Sequence, residues 1–421
     1  MAAMQIISIV VFVAVMVLVV TEKIPRALAA LLGAVVLFCA GVVDFNTGVG
    51  SIDFNTLGVL CGMMMFVAIV RQSGLFEYVA IAAVKICKGK PWRIMAAFVL
   101  VTAIFSAFLD NVTTILLVGP MTIMLCRMLE IDATPFLIAE IFASNIGGTA
   151  TLIGDPPNIM IGSAANLTFL DFIIYDSPVI IIILLILIPI FSALFCRRLY
   201  VSEECMQKVM AVSGPDVILD KPLFKKSLVM IALTIVAFML HGMLHLEPSI
   251  IALAAAGIMV LISKRDFEIA LQGIEWSTIG FFLGIFIIVG AMVHTGIISM
   301  LSQGLVSVSG GNVVVLMLVL LWGSALFSSV LDNIPFVATM VPIIAVMQST
   351  GIDVSPLWWA ISLGACLGGN GTLVGASANV VLSGISRKEG YPITFMRFTK
   401  VAFPLMILTI AVATVYLLII F

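Results

Sequence analysis

The sequence predicts an all-α, polytopic membrane protein of two inverted-topology repeats, with about 10 membrane helices, two re-entrant hairpins and a broken helix in each repeat. Three observations carry this expectation. The 421 residues are 62% hydrophobic and 10% charged, with a mean hydropathy of +1.28, whereas a soluble domain holds roughly 45–50% apolar and about 25% charged residues. The apolar runs suit a bilayer core, which takes about 17–25 helical residues. The two halves of the chain also repeat one another at a fixed offset.

Ser106–Pro120 (SAFLDNVTTILLVGP) aligns with Ser328–Pro342 (SSVLDNIPFVATMVP) at an offset of 222 residues. Asn145–Gly154 (NIGGTATLIG) aligns with Cys366–Gly375 (CLGGNGTLVG) at an offset of 221. Thr56-Leu57-Gly58 matches Thr278-Ile279-Gly280, and Asp44-Phe45 matches Asp266-Phe267. The matches are densest at Gly, Asn, Asp and Thr. A duplication kept only for apolar packing does not explain that distribution.

The expected spans are 4–21, 26–43, 54–72, 134–166 and 175–196, then 227–245, 248–263, 276–294, 356–386 and 399–421. Two apolar pairs, 93–109 with 112–127 and 312–331 with 334–349, each turn at an Asp-Asn and read as hairpins. The first repeat is therefore 1–197, with hairpin 93–127 and broken helix 134–166. A cytoplasmic connector follows at 198–226. The second repeat is 227–421, with hairpin 312–349 and broken helix 356–386. The apolar run Gln5–Val20 lacks the basic flank of a signal peptide and has a counterpart in the second half, so it reads as a membrane helix.

An odd number of crossings per half inverts the second repeat. With Lys23 and Arg26 placed in the cytoplasm, all 20 Lys and Arg fall on that side, as the positive-inside rule asks. The expected location is the plasma membrane, with the N- and C-termini both extracytoplasmic.

Gly147–Asn158 (GGTATLIGDPPN) interrupts an apolar helix, and Gly368-Gly369-Asn370-Gly371-Thr372 interrupts its counterpart. Glycine weakens a helix, and paired prolines remove donors and clash with the preceding turn. Backbone freed this way in a bilayer is tolerated only where it lines a cavity or water. Paired breaks in the two repeats point to a binding site near the membrane midplane. Single glycines such as Gly58 and Gly62 are explained by close helix packing.

Asp110-Asn111 and Asp332-Asn333 sit at the hairpin turns, where an acid costs about 2.5–3.5 kcal/mol at mid-membrane. They suit helix caps that also face a substrate cavity. Glu140 and Asp155 have Ile361 and Ala376 at the repeat positions. These unpaired acids are the candidates for coupling to H⁺ or for a Na⁺ site in the first repeat. No Lys or Arg falls within the inner spans, so the expected site has no fixed positive charge.

A net charge of −2 with no basic tract argues against nucleic acid. HExxH, GxSxG and P-loop patterns are absent, so no enzyme activity and no cofactor are expected. Seven cysteines without a CxxC pair read as small buried hydrophobes. His241 and His245, an i,i+4 pair at a helix end, read as structural.

LDNVTTILLVGP, SNIGGTATLIGDPPN and ACLGGNGTLVGASANVV together resemble the ArsB/NhaD group of the ion transporter superfamily, in the branch of the melanosomal P protein and its prokaryotic relatives. The likeness covers nearly the whole chain. It implies a citrate-transporter-like fold with a scaffold part, an elevator-like transport part and a homodimer. By motif match it implies site residues Asp110, Asn111, Ser144, Asn145, Thr149, Asp332, Asn333, Asn370, Thr372 and Asn379, to which Thr151, Asp155 and Asn158 of the first break are added. Dicarboxylate carriers of the superfamily have Ser-Asn-Thr where this chain has Asp-Asn. The expected function is secondary transport of a small inorganic ion or oxyacid, coupled to H⁺ or Na⁺. Arsenite is favoured, because neutral arsenous acid suits a site without Lys or Arg. A Na⁺/H⁺ antiporter, a passive anion (chloride) channel, an anion or carboxylate symporter and a non-transporting receptor are the alternatives.

Overall fold

The computed structural model describes residues 2–421 other than 22, 89, 196–200, 203, 206 and 208–217. Among the described residues the first half forms α1 (Ala2–Thr21), α2 (Arg26–Cys39), α3 (Phe45–Gly50), α4 (Phe54–Arg71), α5 (Leu75–Ile86), α6 (Pro91–Phe108), α7 (Asn111–Met128), α8 (Thr134–Thr149), α9 (Pro156–Ala165), α10 (Phe169–Tyr175) and α11 (Ser177–Phe195). The second half forms α12 (Lys221–Leu244), α13 (Pro248–Ser263), α14 (Phe267–Gln272), α15 (Trp276–His294), α16 (Ile297–Ser309), α17 (Val313–Ser328), α18 (Asn333–Ser349), α19 (Ser355–Gly368), α20 (Ser377–Lys388) and α21 (Phe395–Ile420). Each first-half helix except α10 has a partner at the repeat offset.

Three expectations change. The connector at 198–226 lies largely outside the described residues, and its last six residues belong to α12, which begins at Lys221. Asp220 caps it, accepting from Leu223 N at 3.0 Å, and Pro222 fits the first turn. The span expected at 26–43 ends as a helix at Cys39, only 14 residues long. Five short helices, α3, α5, α10, α14 and α16, join the spans. They are too short, or too amphipathic, to register as apolar runs.

The contacts fix which helix ends share a face. Gln5 Nε2 donates to Thr295 O at 2.9 Å, Ser249 N donates to Asn55 Oδ1 at 3.0 Å, and the Tyr416 hydroxyl donates to Tyr175 O at 2.7 Å. The opposite face carries the ion pairs Arg127–Glu389 (2.7 Å), Arg265–Asp220 (2.9 Å) and Arg397–Asp132 (3.4 Å). Thus α1 starts on the first face and α12 starts on the second, and the repeats are inverted.

Glycines let the helices approach across this two-fold relation. A Cβ on Gly62 would lie 2.5 Å from Ala252 C, and one on Gly284 would lie 2.4 Å from Ala30 C. These pairs bring α4 against α13 and α15 against α2, giving one bundle. In a second bundle, a Cβ on Gly147 would lie 2.1 Å from Ala103 O, and one on Gly368 would lie 2.5 Å from Ala325 Cα. They bring α8 against α6 and α19 against α17. Close packing therefore explains Gly147 and Gly368 at the breaks as well as Gly62. Around both bundles α1, α11, α12 and α21 turn apolar side chains outward, among them Ile6, Val10, Leu185, Leu233 and Val415. All four are long and apolar enough to cross a membrane.

Candidate functional site

Each broken helix stops at its glycines and restarts after a non-helical stretch. α8 ends at Thr149 and α9 begins at Pro156; α19 ends at Gly368 and α20 begins at Ser377. An asparagine closes each break. Asn158 Nδ2 donates to Thr149 O (3.1 Å) and Thr151 O (3.0 Å). At the repeat position, Asn379 Nδ2 donates to Gly369 O (2.7 Å) and Thr372 O (2.9 Å). These bonds satisfy carbonyls that the interrupted helices leave free.

Hydroxyls pin each break to the adjacent hairpin. Ser106 Oγ donates to Ser144 O at 2.5 Å, and its counterpart Ser328 Oγ donates to Ala365 O at 2.6 Å. The Thr151 hydroxyl donates to Ala107 O, and Thr372 Oγ1 donates to Ser329 O at 2.5 Å. The hydroxyls of Ser144 and Thr149 bond within α8, to Ile141 O and Asn145 O. Of the expected site residues, Ser144, Thr149, Thr151 and Thr372 therefore have their hydroxyls spent on backbone. Their role in this structure is to hold the break.

Asn145 ties the repeats together. Its Nδ2 donates to Asn370 Oδ1 (3.0 Å) and Asn379 Oδ1 (2.9 Å), and its Oδ1 accepts from Asn111 Nδ2 (3.2 Å). Asn370 Nδ2 is buried without an acceptor.

The hairpin tips meet the breaks at a cavity of about 20 Å³, lined by Arg26, Asp110, Asn111, Asp155, Glu275 and Asn333, with Pro156 and Ser377. That volume holds about one water or a small ion. Asn111, Asn333, Pro156 and Ser377 are the first residues of α7, α18, α9 and α20, so four helix N-termini converge here. Each contributes about +0.5 of an elementary charge. Asp110 caps α7, accepting from Thr113 N at 2.8 Å, and Asp332 caps α18, accepting from Ile334 N at 3.2 Å. Asp155 occupies the N-cap position of α9 without capping it. Its carboxylate instead accepts from Asn333 Nδ2 across the repeat interface, at 3.2 and 3.3 Å.

A fixed positive charge is present, contrary to the expectation. Arg26 Nη1 lies 3.0 Å from Asp332 Oδ2 and also donates to Ser377 Oγ, while Nη2 donates to Thr278 Oγ1 at 3.0 Å. Ser377 Oγ donates in turn to Asp332 Oδ2 at 2.7 Å. The reason is the length of α2. Fourteen residues rise only about 21 Å, less than the roughly 30 Å of a bilayer core, and the first of them, Arg26, packs against Asp332 and Ser377. Arg26, Glu275, Thr278 and Ser377 are the site residues that the sequence reading missed. The available signal is the apolar run after Pro25-Arg26, whose helix is too short for a full span.

On the Arg26 side the cavity adjoins a vestibule of about 710 Å³, lined by Lys23, Arg26, Glu275, Thr278, Asp332 and Ser377. A pocket of about 460 Å³ opens on the other side, past Asp53, Ser163 and His294. Glu140 lies elsewhere. It is buried between α7 and α8, accepts from the Thr122 hydroxyl through Oε1, and leaves Oε2 without a donor. No group of three or more metal-ligating side chains occurs among the described residues. Both His241 nitrogens are occupied by backbone, Nε2 accepting from Phe169 N at 2.9 Å and Nδ1 facing Leu246 O at 3.2 Å.

Comparison with known proteins places this geometry in a family. Residues 16–364 match the citrate transporter family. The chain is 42% identical over 422 residues to an uncharacterized transporter of Mycobacterium tuberculosis, covering 98% of both. It is 34% identical over 487 residues to the human P protein, covering 96% of this chain and 58% of that one. The YdaH transporter of Alcanivorax borkumensis shares the fold, with a TM-score of 0.62 at 16% identity over 89% of this chain and 87% of that one. The chain belongs to the citrate transporter family of the ion transporter superfamily, and it is a polytopic membrane transporter rather than an enzyme.

Proposed function

We propose that the protein is a secondary active transporter in which Asp155 binds the coupling ion, H⁺ or Na⁺, and that the transported species is a small inorganic ion. The observation that carries this is Asp155 itself. It is 1% exposed, does not cap its helix, and has Ala376 at the repeat position. An acid with neither a capping role nor a cation partner is free to exchange its ion. The charge balance supports a cation. Four carboxylates, Asp110, Asp155, Asp332 and Glu275, face one guanidinium and four helix N-termini worth about +0.5 each, which leaves room for about one further positive charge. The small cavity suits a single ion, so Na⁺/H⁺ exchange is the reading favoured. The case for neutral arsenous acid rested on a site without Lys or Arg, and Arg26 removes it.

A second reading has its own support. With Asp155 neutralised, Arg26 and the four N-termini make a field that favours an anion, and the vestibule has space for an oxyanion or carboxylate. Such a substrate displaces Asp332 from Arg26. In both readings α6–α9 and α17–α20 move as an elevator-like unit against the α2, α4, α13 and α15 bundle. Arg26 crosses between these two bodies on one side, and Ser163 Oγ crosses to Asp53 Oδ1 (3.1 Å) on the other.

The deciding experiment uses purified protein in liposomes with an internal pH dye and an imposed pH gradient. Proton movement on adding Na⁺ alone supports exchange. Proton movement that requires an oxyanion or carboxylate supports the second reading. Conductance independent of either gradient overturns coupled transport.

A further inference from the structure

A second buried acid in the first repeat takes no part in the cavity. Asp176 directly follows α10, is fully buried, and pairs with no Lys, Arg or His among the described residues. Its Oδ1 meets no donor. Its Oδ2 lies 2.6 Å from Ser362 Oγ of α19, and the same hydroxyl oxygen lies 2.8 Å from Asn158 Oδ1 of α9.

The orientation of Asn158 is settled by its other bonds. Its Nδ2 gives both hydrogens to Thr149 O and Thr151 O; reversing the amide would set an oxygen against two carbonyls. Asn158 Oδ1 therefore only accepts. Two oxygen–oxygen contacts need two hydrogens, and Ser362 brings one. The second is the carboxyl proton of Asp176. Asp176 Oδ2–H donates to Ser362 Oγ, and Ser362 donates on to Asn158 Oδ1. An ionised Asp176 would leave one contact without a hydrogen and one buried charge with a single hydrogen bond, a costly arrangement.

The repeat shows what the chain of bonds is for. Asn379 holds the second break in the same way, and its Oδ1 receives Asn145 Nδ2. In the first break the equivalent of Asn145 is Cys366, whose Sγ reaches Asn158 Oδ1 only at 3.6 Å. A thiol is a weak donor, so Asn158 needs another.

We infer that Asp176 is a proton-holding positioning residue: its protonated carboxyl orients Ser362 onto Asn158 and so fixes the carbonyls of the first helix break. The titratable groups that face it are Cys366 on α19, which interacts with both it and Asp155, Tyr416 on α21, and Tyr175, the last residue of α10. Asp171 at the other end of α10 is committed to Thr168, and His241 on α12 to Phe169 and Leu246. Losing the Asp176 proton at alkaline pH releases Asn158 and loosens the break.

The test is infrared spectroscopy on purified protein at neutral pH, which does not depend on knowing the substrate. Wild type minus Asp176→Asn is expected to show a lost protonated-carboxyl C=O band, with that band intact in Asp155→Asn. An amide at 176 can still donate to Ser362, so Asp176→Asn is expected to transport within about twofold of wild type but without its alkaline decline. Asp176→Ala and Ser362→Ala are each expected to be about tenfold slower, from a loosened break. Loss of carboxylate rather than carboxyl intensity in Asp176→Asn overturns the inference, even if Asp176→Ala fails to fold. So does an Asp176→Asn pH profile identical to wild type.

Discussion

Replacing Asp155 by Asn separates a coupling acid from a structural one. The structural cost is small. The carboxylate accepts from the Cys366 thiol, a weak donor, and from Asn333 Nδ2 at 3.2 and 3.3 Å, which are long for charge-assisted bonds. An amide oxygen can accept the same donor, so the change trades a bond of about 1.5–3 kcal/mol for one of about 0.5–1.5 kcal/mol, a loss near 1 kcal/mol. Against this, the substitution removes an ionisable group that costs about 2.5–3.5 kcal/mol at mid-membrane. Expression, insertion and thermal stability are expected to hold or improve. The functional effect is large, because an amide cannot bind and release a proton. If one ion is coupled per cycle, each pH unit of gradient is worth about 1.4 kcal/mol and supports about tenfold accumulation. In Asp155→Asn that ratio is expected to fall to one, with any residual flux insensitive to the imposed pH gradient and keeping only the alkaline decline assigned to Asp176. The assay is gradient-driven uptake into liposomes loaded with equal amounts of either protein. Wild-type accumulation with wild-type pH dependence would refute the reasoning and leave Asp155 a structural residue.

Arg26→Gln removes the guanidinium that joins α2 to Asp332 and Ser377, a pair 25% and 11% exposed and so partly screened. Its effect is expected at about tenfold: tighter apparent cation affinity with slower turnover if a cation is carried, or loss of anion affinity if an anion is, as read from KM and kcat separately. Gly147→Ala and Gly368→Ala each set a Cβ within 2.1–2.5 Å of backbone atoms of Ala103 or Ala325. Each is expected to cost about 3 kcal/mol or more of stability through overpacking, seen as a sharply lowered melting temperature in detergent; a change under 1 °C would show that the helices part freely. Cysteines introduced at Ala2 and Leu219 in a cysteine-free background are expected to label from opposite sides of intact cells, residue 2 from outside. Labelling of both from one side would refute the inverted topology.

Much of this arrangement is legible in the sequence, because the bilayer constrains local composition strongly. Backbone polar groups in lipid must be satisfied within the segment. Long apolar runs therefore declare helices, and a Gly-Gly or Asp-Pro-Pro within such a run declares a break that needs a cavity. The repeat then pairs Asp110 with Asp332 and Asn158 with Asn379 before any coordinates are known. What the sequence could not supply was depth and direction. Arg26 looks like an interfacial anchor beside Lys23, and only the short α2 and its packing against α15 bring it to Asp332. Asp155 reads as a helix cap as readily as a coupling acid until Asn333, 178 residues away, is found on it. Glu140 reads as its equal, yet α7 covers it and leaves it beside Thr122. Asp176 gives no local signal, because its role depends on where a serine of the other repeat stands. Helix formation, breaks and internal symmetry are fixed by neighbours in the chain. Which acid meets a cation, an amide or a cavity is fixed by long-range packing, which only the tertiary structure decides.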